Sequence, residues 1–148
     1  MSSIVHIQNK YVGYINSVVE ELKKDDGVVA IAVFGSVVKT RRKPNDIDIF
    51  VLFRDRVNWE LIDNIKEKYR DPPVHLFSRT ISDLNRFTTL WLELYFGGVV
   101  LYDKDGILMS KLEAWKRKIE ELTGTELKEY PSAIRFPFSI DPSQLTLE

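Results

Sequence analysis

Asp46 and Asp48 stand two residues apart, separated by Ile47, at the start of the apolar run Ile47 to Phe53. Alternate side chains on a β-strand share a face, so this spacing puts both carboxylates on one side and turns Ile47 into the core. Two hard oxygen ligands a few ångströms apart suit magnesium or manganese held against phosphate oxygens. Upstream, another apolar run, Val28 to Phe34, stops at Gly35-Ser36. A glycine there lets the backbone come close to a ligand, Ser36 adds a hydroxyl donor, and the amides of a helix start behind it suit a terminal phosphate. Between the two motifs lie Lys39, Arg41, Arg42 and Lys43. These cations either meet phosphates or a nucleic-acid partner, or simply keep a loop solvated.

The composition narrows the chemistry further. There is no cysteine, which excludes disulfides, thiolate zinc sites and cysteine nucleophiles, and His6 and His75 are too few for a histidine-rich metal cage. A metal is therefore expected to take oxygen ligands. The net charge of -1 argues against a broad basic surface for duplex nucleic acid, so any cationic site is local and nucleic acid is not indicated as a partner. With 148 residues, 44% of them hydrophobic, the chain suits one compact domain with a core. No segment approaches the roughly 20 apolar residues of a membrane span, and MSSIVHIQNK lacks the apolar region of a signal peptide, so a cytoplasmic protein is expected.

The motifs need elements to hold them. Helical spacing of Ile7, Tyr11, Ile15, Val18, Val19 and Leu22 predicts an amphipathic helix over 4–24. Asp25-Asp26-Gly27 breaks it, and Val28 to Phe34 is a buried strand whose short link to Ile47–Phe53 suggests direct antiparallel pairing. Helical spacing returns over 58–69, and Pro72-Pro73 leads into a third short strand, Val74 to Ser78. Leu84, Phe87, Leu90, Trp91, Leu94 and Tyr95 form an apolar helical segment, in one piece or two, stopped by Gly97-Gly98. A strand over Val99–Tyr102, a turn over 103–106 and a last helix over Ile107–Leu122 follow. Prolines 131, 137 and 142 then interrupt any period, while Ile134, Phe136, Phe138 and Ile140 alternate like an extended arm that packs on something. The expected organisation is a domain over 1–123 and an arm over 124–148.

Gly35-Ser36 followed after a short gap by Asp46-Ile47-Asp48 at the start of an apolar strand resembles the DNA polymerase β-like nucleotidyltransferase superfamily, above all its small single-domain members. The preceding helix, the order of elements and the stretch Gly98-Val99-Val100-Leu101-Tyr102-Asp103 extend the likeness over roughly residues 1–122. The resemblance implies an α/β (α+β) nucleotidyltransferase fold, a small mixed sheet with flanking helices. It also implies a two-metal attack by a hydroxyl on the α-phosphate of a nucleoside triphosphate. By position, Gly35, Ser36, Lys39 and Arg42 would hold the nucleotide, and Asp46 and Asp48 would be catalytic and bind Mg2+ (or Mn2+). The family's third carboxylate belongs on the next core strand, where this chain has Pro72-Pro73-Val74-His75-Leu76; His75 on the strand and Asp71 just before it are the candidates. The expected activity is transfer of a nucleoside monophosphate to an unknown acceptor. The alternative is a catalytically weak, antitoxin-like module that binds a helical partner protein. A chain this short would find its acceptor site with a partner or a second copy, so a homo-oligomer is expected.

Overall fold

A computed structural model of the chain describes residues 7–39 and 43–147, with Lys39 described in its backbone only. Its elements are α1 (Val12–Lys23), β1 (Val28–Phe34), the single turn α2 (Ser36–Lys39), β2 (Ile47–Phe53), α3 (Trp59–Lys68), β3 (Val74–Thr80), α4 (Thr89–Gly97), β4 (Val99–Asp103) and α5 (Ile107–Thr123). The four strands form one sheet in the order β3-β2-β1-β4. The β1–β2 and β1–β4 pairs are antiparallel, and β2–β3 is parallel. A parallel pair needs a crossover, and α3 supplies it. This is the mixed sheet with flanking helices expected of a nucleotidyltransferase-like α/β fold.

Every residue of β1 is buried, as its unbroken apolar composition requires of a central strand covered on both faces. Two apolar layers provide the cover. Ile31, Val33, Ile47, Ile49 and Val51 pack with Ile15, Val18 and Leu22 of α1 and Ile62 and Ile65 of α3. On the opposite face, Ala32, Phe34, Phe50 and Leu52 pack with Trp91, Leu92 and Leu94 of α4 and Leu108, Leu112, Trp115 and Ile119 of α5. The alternation along β2 therefore assigns Ile47 to the first layer and sends Asp48 to the second face.

Two boundaries differ from the sequence reading, and one alternative that it left open is decided. The first helix begins with a 3-10 turn at Asn9–Tyr11, within the span expected for it. The apolar stretch from Leu84 splits into a 3-10 turn, Ile81–Asn85, and α4. Its break is fixed by tertiary bonds: the indole of Trp115 donates to the Leu84 carbonyl (2.7 Å) and that of Trp91 to the Arg86 carbonyl (2.8 Å). β3 runs on to Thr80. Gly98 stops α4 without a left-handed backbone; a Cβ there would lie 2.6 Å from the Leu94 carbonyl oxygen.

Beyond α5 the chain turns at Gly124 (φ 69°) and returns over the second layer. The Leu127 amide donates to the Glu120 carboxylate (2.7 Å), which holds that carboxyl below its usual range with help from Lys116. Leu127, Ile134, Phe136, Leu145 and Leu147 pack against the layer, and Phe136 meets Phe87 edge-on at 6.0 Å. The Phe87 amide donates to Leu145 (3.0 Å) and the Leu147 amide to Asn85 (2.9 Å). Phe138, expected to pack with its alternating neighbours, is instead exposed: the segment is not part of the sheet, so no strand geometry carries the period to it. Removing 125–148 should cost about 3–5 kcal/mol in urea unfolding, at roughly 1 kcal/mol for each half-buried apolar side chain. Phe138→Ser should change stability by less than about 0.5 kcal/mol. Equal stability of the truncated and full chains would contradict the packing of this segment.

Candidate active site

The end of β1 and the beginnings of β2 and β3 lie side by side. Phe34 is paired with Asp48 across β1 and β2, and Asp48 with His75 across β2 and β3. Paired positions on neighbouring strands project to the same face, so Asp48 stands between an aromatic ring and an imidazole. The Ile47 amide donates to the Pro73 carbonyl (2.9 Å), which fixes the two strand starts against each other. Tyr14 on α1 donates its hydroxyl to the adjacent Pro72 carbonyl (2.6 Å). Burial raises the pKa of that hydroxyl above its ordinary value, which keeps it a donor.

Gly35 leaves β1 with φ 79°, in the left-handed region. A Cβ at this position would collide with Asp48 Oδ2 and lie 3.2 Å from Asp48 Cγ, so the glycine gives the carboxylate its space. Ser36 opens α2, which Val37 anchors in the first apolar layer. The Val38 amide donates to the Gly35 carbonyl (3.1 Å), while Gln8 donates through its side chain to Ser36 and through its backbone to Val37, both at 3.1 Å. The short turn is thus held from both sides.

Asp46, Asp48 and His75 each offer a ligand atom, and these atoms lie within 4.8 Å of one another. His75 Nδ1 is 3.6 Å from Asp48 Oδ1, with the imidazole side chain 56% exposed and the carboxylate 21% exposed. The imidazole stacks at a tilt on Phe77 (centroids 4.1 Å apart), and Phe77 meets Phe34 at 5.0 Å. Two carboxylates and a nitrogen beside a glycine whose missing Cβ leaves room for the Asp48 carboxylate make a donor set and a cradle that fit a divalent ion. The set is mixed, where composition had suggested oxygen ligands alone.

Of the residues named from sequence, Gly35, Ser36, Asp46, Asp48 and His75 come together here. Asp71 lies in the turn before β3 and is not a member of the three-residue group. Arg42, with Thr40 and Arg41, falls outside the described residues, as does the side chain of Lys39; Lys43 is exposed. Sequence reasoning missed Phe77 and Gln8. Phe77 had a signal, since His75 and Phe77 repeat the two-residue spacing of the aspartates; Gln8 had none.

The glycine turn at the end of β1 and the Asp46-Ile47-Asp48 pair at the start of β2 thus lie side by side in a mixed sheet flanked by helices. A family model described as Polymerase beta, Nucleotidyltransferase matches residues 16–107, and the chain belongs to that family. No curated protein matches the chain significantly. Among solved structures, it is similar to a toxin-antitoxin crystal structure with AMP-PNP, at 21% identity over 74% of this chain and 92% of that one, with a TM-score of 0.53. A mutant MntA-HpeT toxin-antitoxin structure gives 19% identity, coverages of 74% and 92%, and a TM-score of 0.52. A tri-AMPylated Shewanella oneidensis HEPN toxin in complex with MNT antitoxin gives 22% identity, coverages of 72% and 86%, and a TM-score of 0.50. At these identities the likeness is one of fold. No helix among the described residues is long and apolar enough to cross a membrane.

Proposed function

We propose that this chain is a metal-dependent nucleotidyltransferase that moves a nucleoside monophosphate from a nucleoside triphosphate to a hydroxyl on a partner protein. The observation that carries this reading is the convergence of Asp46, Asp48 and His75 beside the Gly35–Ser36 turn. Asp46 and Asp48 would hold the divalent ion, which when bound supplies charge neutralisation at the phosphate oxygens. The Gly35–Ser36 turn admits the triphosphate close to the backbone, and the Ser36 hydroxyl donates to it. Lys39 and Arg42 are assigned to the same phosphates from the sequence. The acceptor oxygen forms a bond to the α-phosphorus, the bond from that phosphorus to the bridging oxygen breaks, and pyrophosphate leaves. The hydroxyl proton passes to a site carboxylate.

Among the similar structures, AMP-PNP in one and a tri-AMPylated toxin beside its antitoxin in another support ATP as donor and a protein as acceptor. A partner or a second copy of the chain would complete the acceptor pocket. A second reading has its own support: β3 presents an imidazole where the family's scheme has a carboxylate, which fits a module that binds nucleotide and a helical partner protein with little turnover.

The test is incubation of the chain and its co-purifying proteins with labelled ATP, CTP, GTP or UTP and magnesium or manganese. Label from ATP on a protein hydroxyl, with stoichiometric pyrophosphate, is the expected result. Tight nucleotide binding with no label on any protein would select the second reading.

A further inference from the structure

We propose that His75 is a direct metal ligand, so that this centre takes a first-row transition ion such as manganese in preference to magnesium. The inference rests on the reading of Asp46 and Asp48 as a metal centre, and adds to it the identity of the third donor and of the ion.

The parallel register pairs Asp48 with His75 one to one, so the nitrogen is placed by the backbone of the sheet rather than by a mobile loop. The 3.6 Å between Nδ1 and Oδ1 is too long for a good hydrogen bond. It is the separation of two donors on one ion: ligands about 2.1 Å from a metal stand roughly 3–3.6 Å apart when they are not opposite each other. The full set, within 4.8 Å, is only slightly wider than the roughly 4.2 Å spanned by an opposed pair at that bond length. The ring is braced by Phe77 at 4.1 Å, and Phe77 by Phe34, which limits its reorientation. The imidazole is more than half exposed, so an ion can reach it.

The donor set then decides the metal. Magnesium prefers an octahedron of hard oxygens and gives up its water reluctantly, whereas manganese and the ions after it accept imidazole nitrogen. A neutral imidazole in place of a carboxylate also removes one negative charge, which weakens the bonding on which magnesium depends most.

The test uses the full chain with Mn2+ as probe and Mg2+ as competitor, and reads binding instead of turnover. Pulsed EPR of the Mn2+-bound protein should show a directly coordinated nitrogen, and Mn2+ should bind roughly tenfold tighter than Mg2+ or more. His75→Ala should abolish the nitrogen coupling, which also separates it from any signal of His6. His75→Asp should abolish it and bring the two ions to rough parity, and the exposed position of the side chain means the variant folds. Absence of nitrogen coupling in the wild type, or an unchanged preference in His75→Asp, would overturn the inference. Mn2+ binding unaltered by Asp46→Asn with Asp48→Asn would instead remove the underlying reading of the site.

Discussion

Asp46→Asn combined with Asp48→Asn should leave a folded chain that no longer gains stability from manganese or magnesium plus ATP. A ligand that binds only the native state stabilises it by mass action, by about 2.7 kcal/mol at 100 times the dissociation constant. The variant should lose this increment entirely, as read from the melting temperature with and without ligand. Neither aspartate belongs to the apolar layers, so the unliganded variant should still unfold cooperatively. Turnover should fall by more than about 100-fold, since even outer partners of metal ligands typically cost about 10–100-fold. A ligand-induced shift of wild-type size in the double variant would place the nucleotide elsewhere on the molecule.

Gly35→Ala should be nearly as damaging without removing any functional group. The left-handed backbone alone costs an alanine roughly 1–2 kcal/mol. Gly124 has a similar φ of 69° but open space where its Cβ would be, so Gly124→Ala should show that cost by itself. At Gly35 the added carbon also meets the Asp48 carboxylate, and displacing it should add about 1 kcal/mol or more. The comparison of the two variants isolates the collision. Gly35→Ala should in addition lose most of the ligand-induced stabilisation, and Gly124→Ala should keep it. Equal behaviour of the two in both measurements would mean that the close approach of Gly35 to Asp48 has no functional weight.

Much of this arrangement is written in short-range patterns. Val28–Phe34 announces a doubly buried strand because no polar residue interrupts it, and Asp46-Ile47-Asp48 announces a shared face because a strand alternates. The glycine turn between them is equally local. What local pattern does not contain is the partnership of distant segments. His75 stands on the strand in the sequence reading, but its position opposite Asp48 depends on the parallel register set across α3. Leu84 and Phe87 have helical spacing with Leu90 and Trp91, yet the chain breaks between them because Trp91 and Trp115 claim the carbonyls of Arg86 and Leu84. Phe138 fails for the opposite reason: its alternation is present in the sequence, but the segment lies outside the sheet that would give the period a meaning.

The strand order has a last consequence for how the site responds to a ligand. β2 is locked between two neighbours, whereas β3 is at the margin of the sheet with β2 alone beside it. Local opening is cheapest where a segment has the fewest partners. Amide hydrogens of Ile47–Phe53 that bond to β1 should therefore exchange with solvent only when the whole molecule unfolds, and those that join β2 to Val74–Thr80 should exchange through a smaller excursion. The centre thus has one rigid wall, carrying the carboxylates, and one compliant wall, carrying the imidazole. A ligand that binds only the folded chain will slow exchange along the rigid wall by its full stabilisation of the molecule, and along the compliant wall only to the extent that the smaller excursion there releases it.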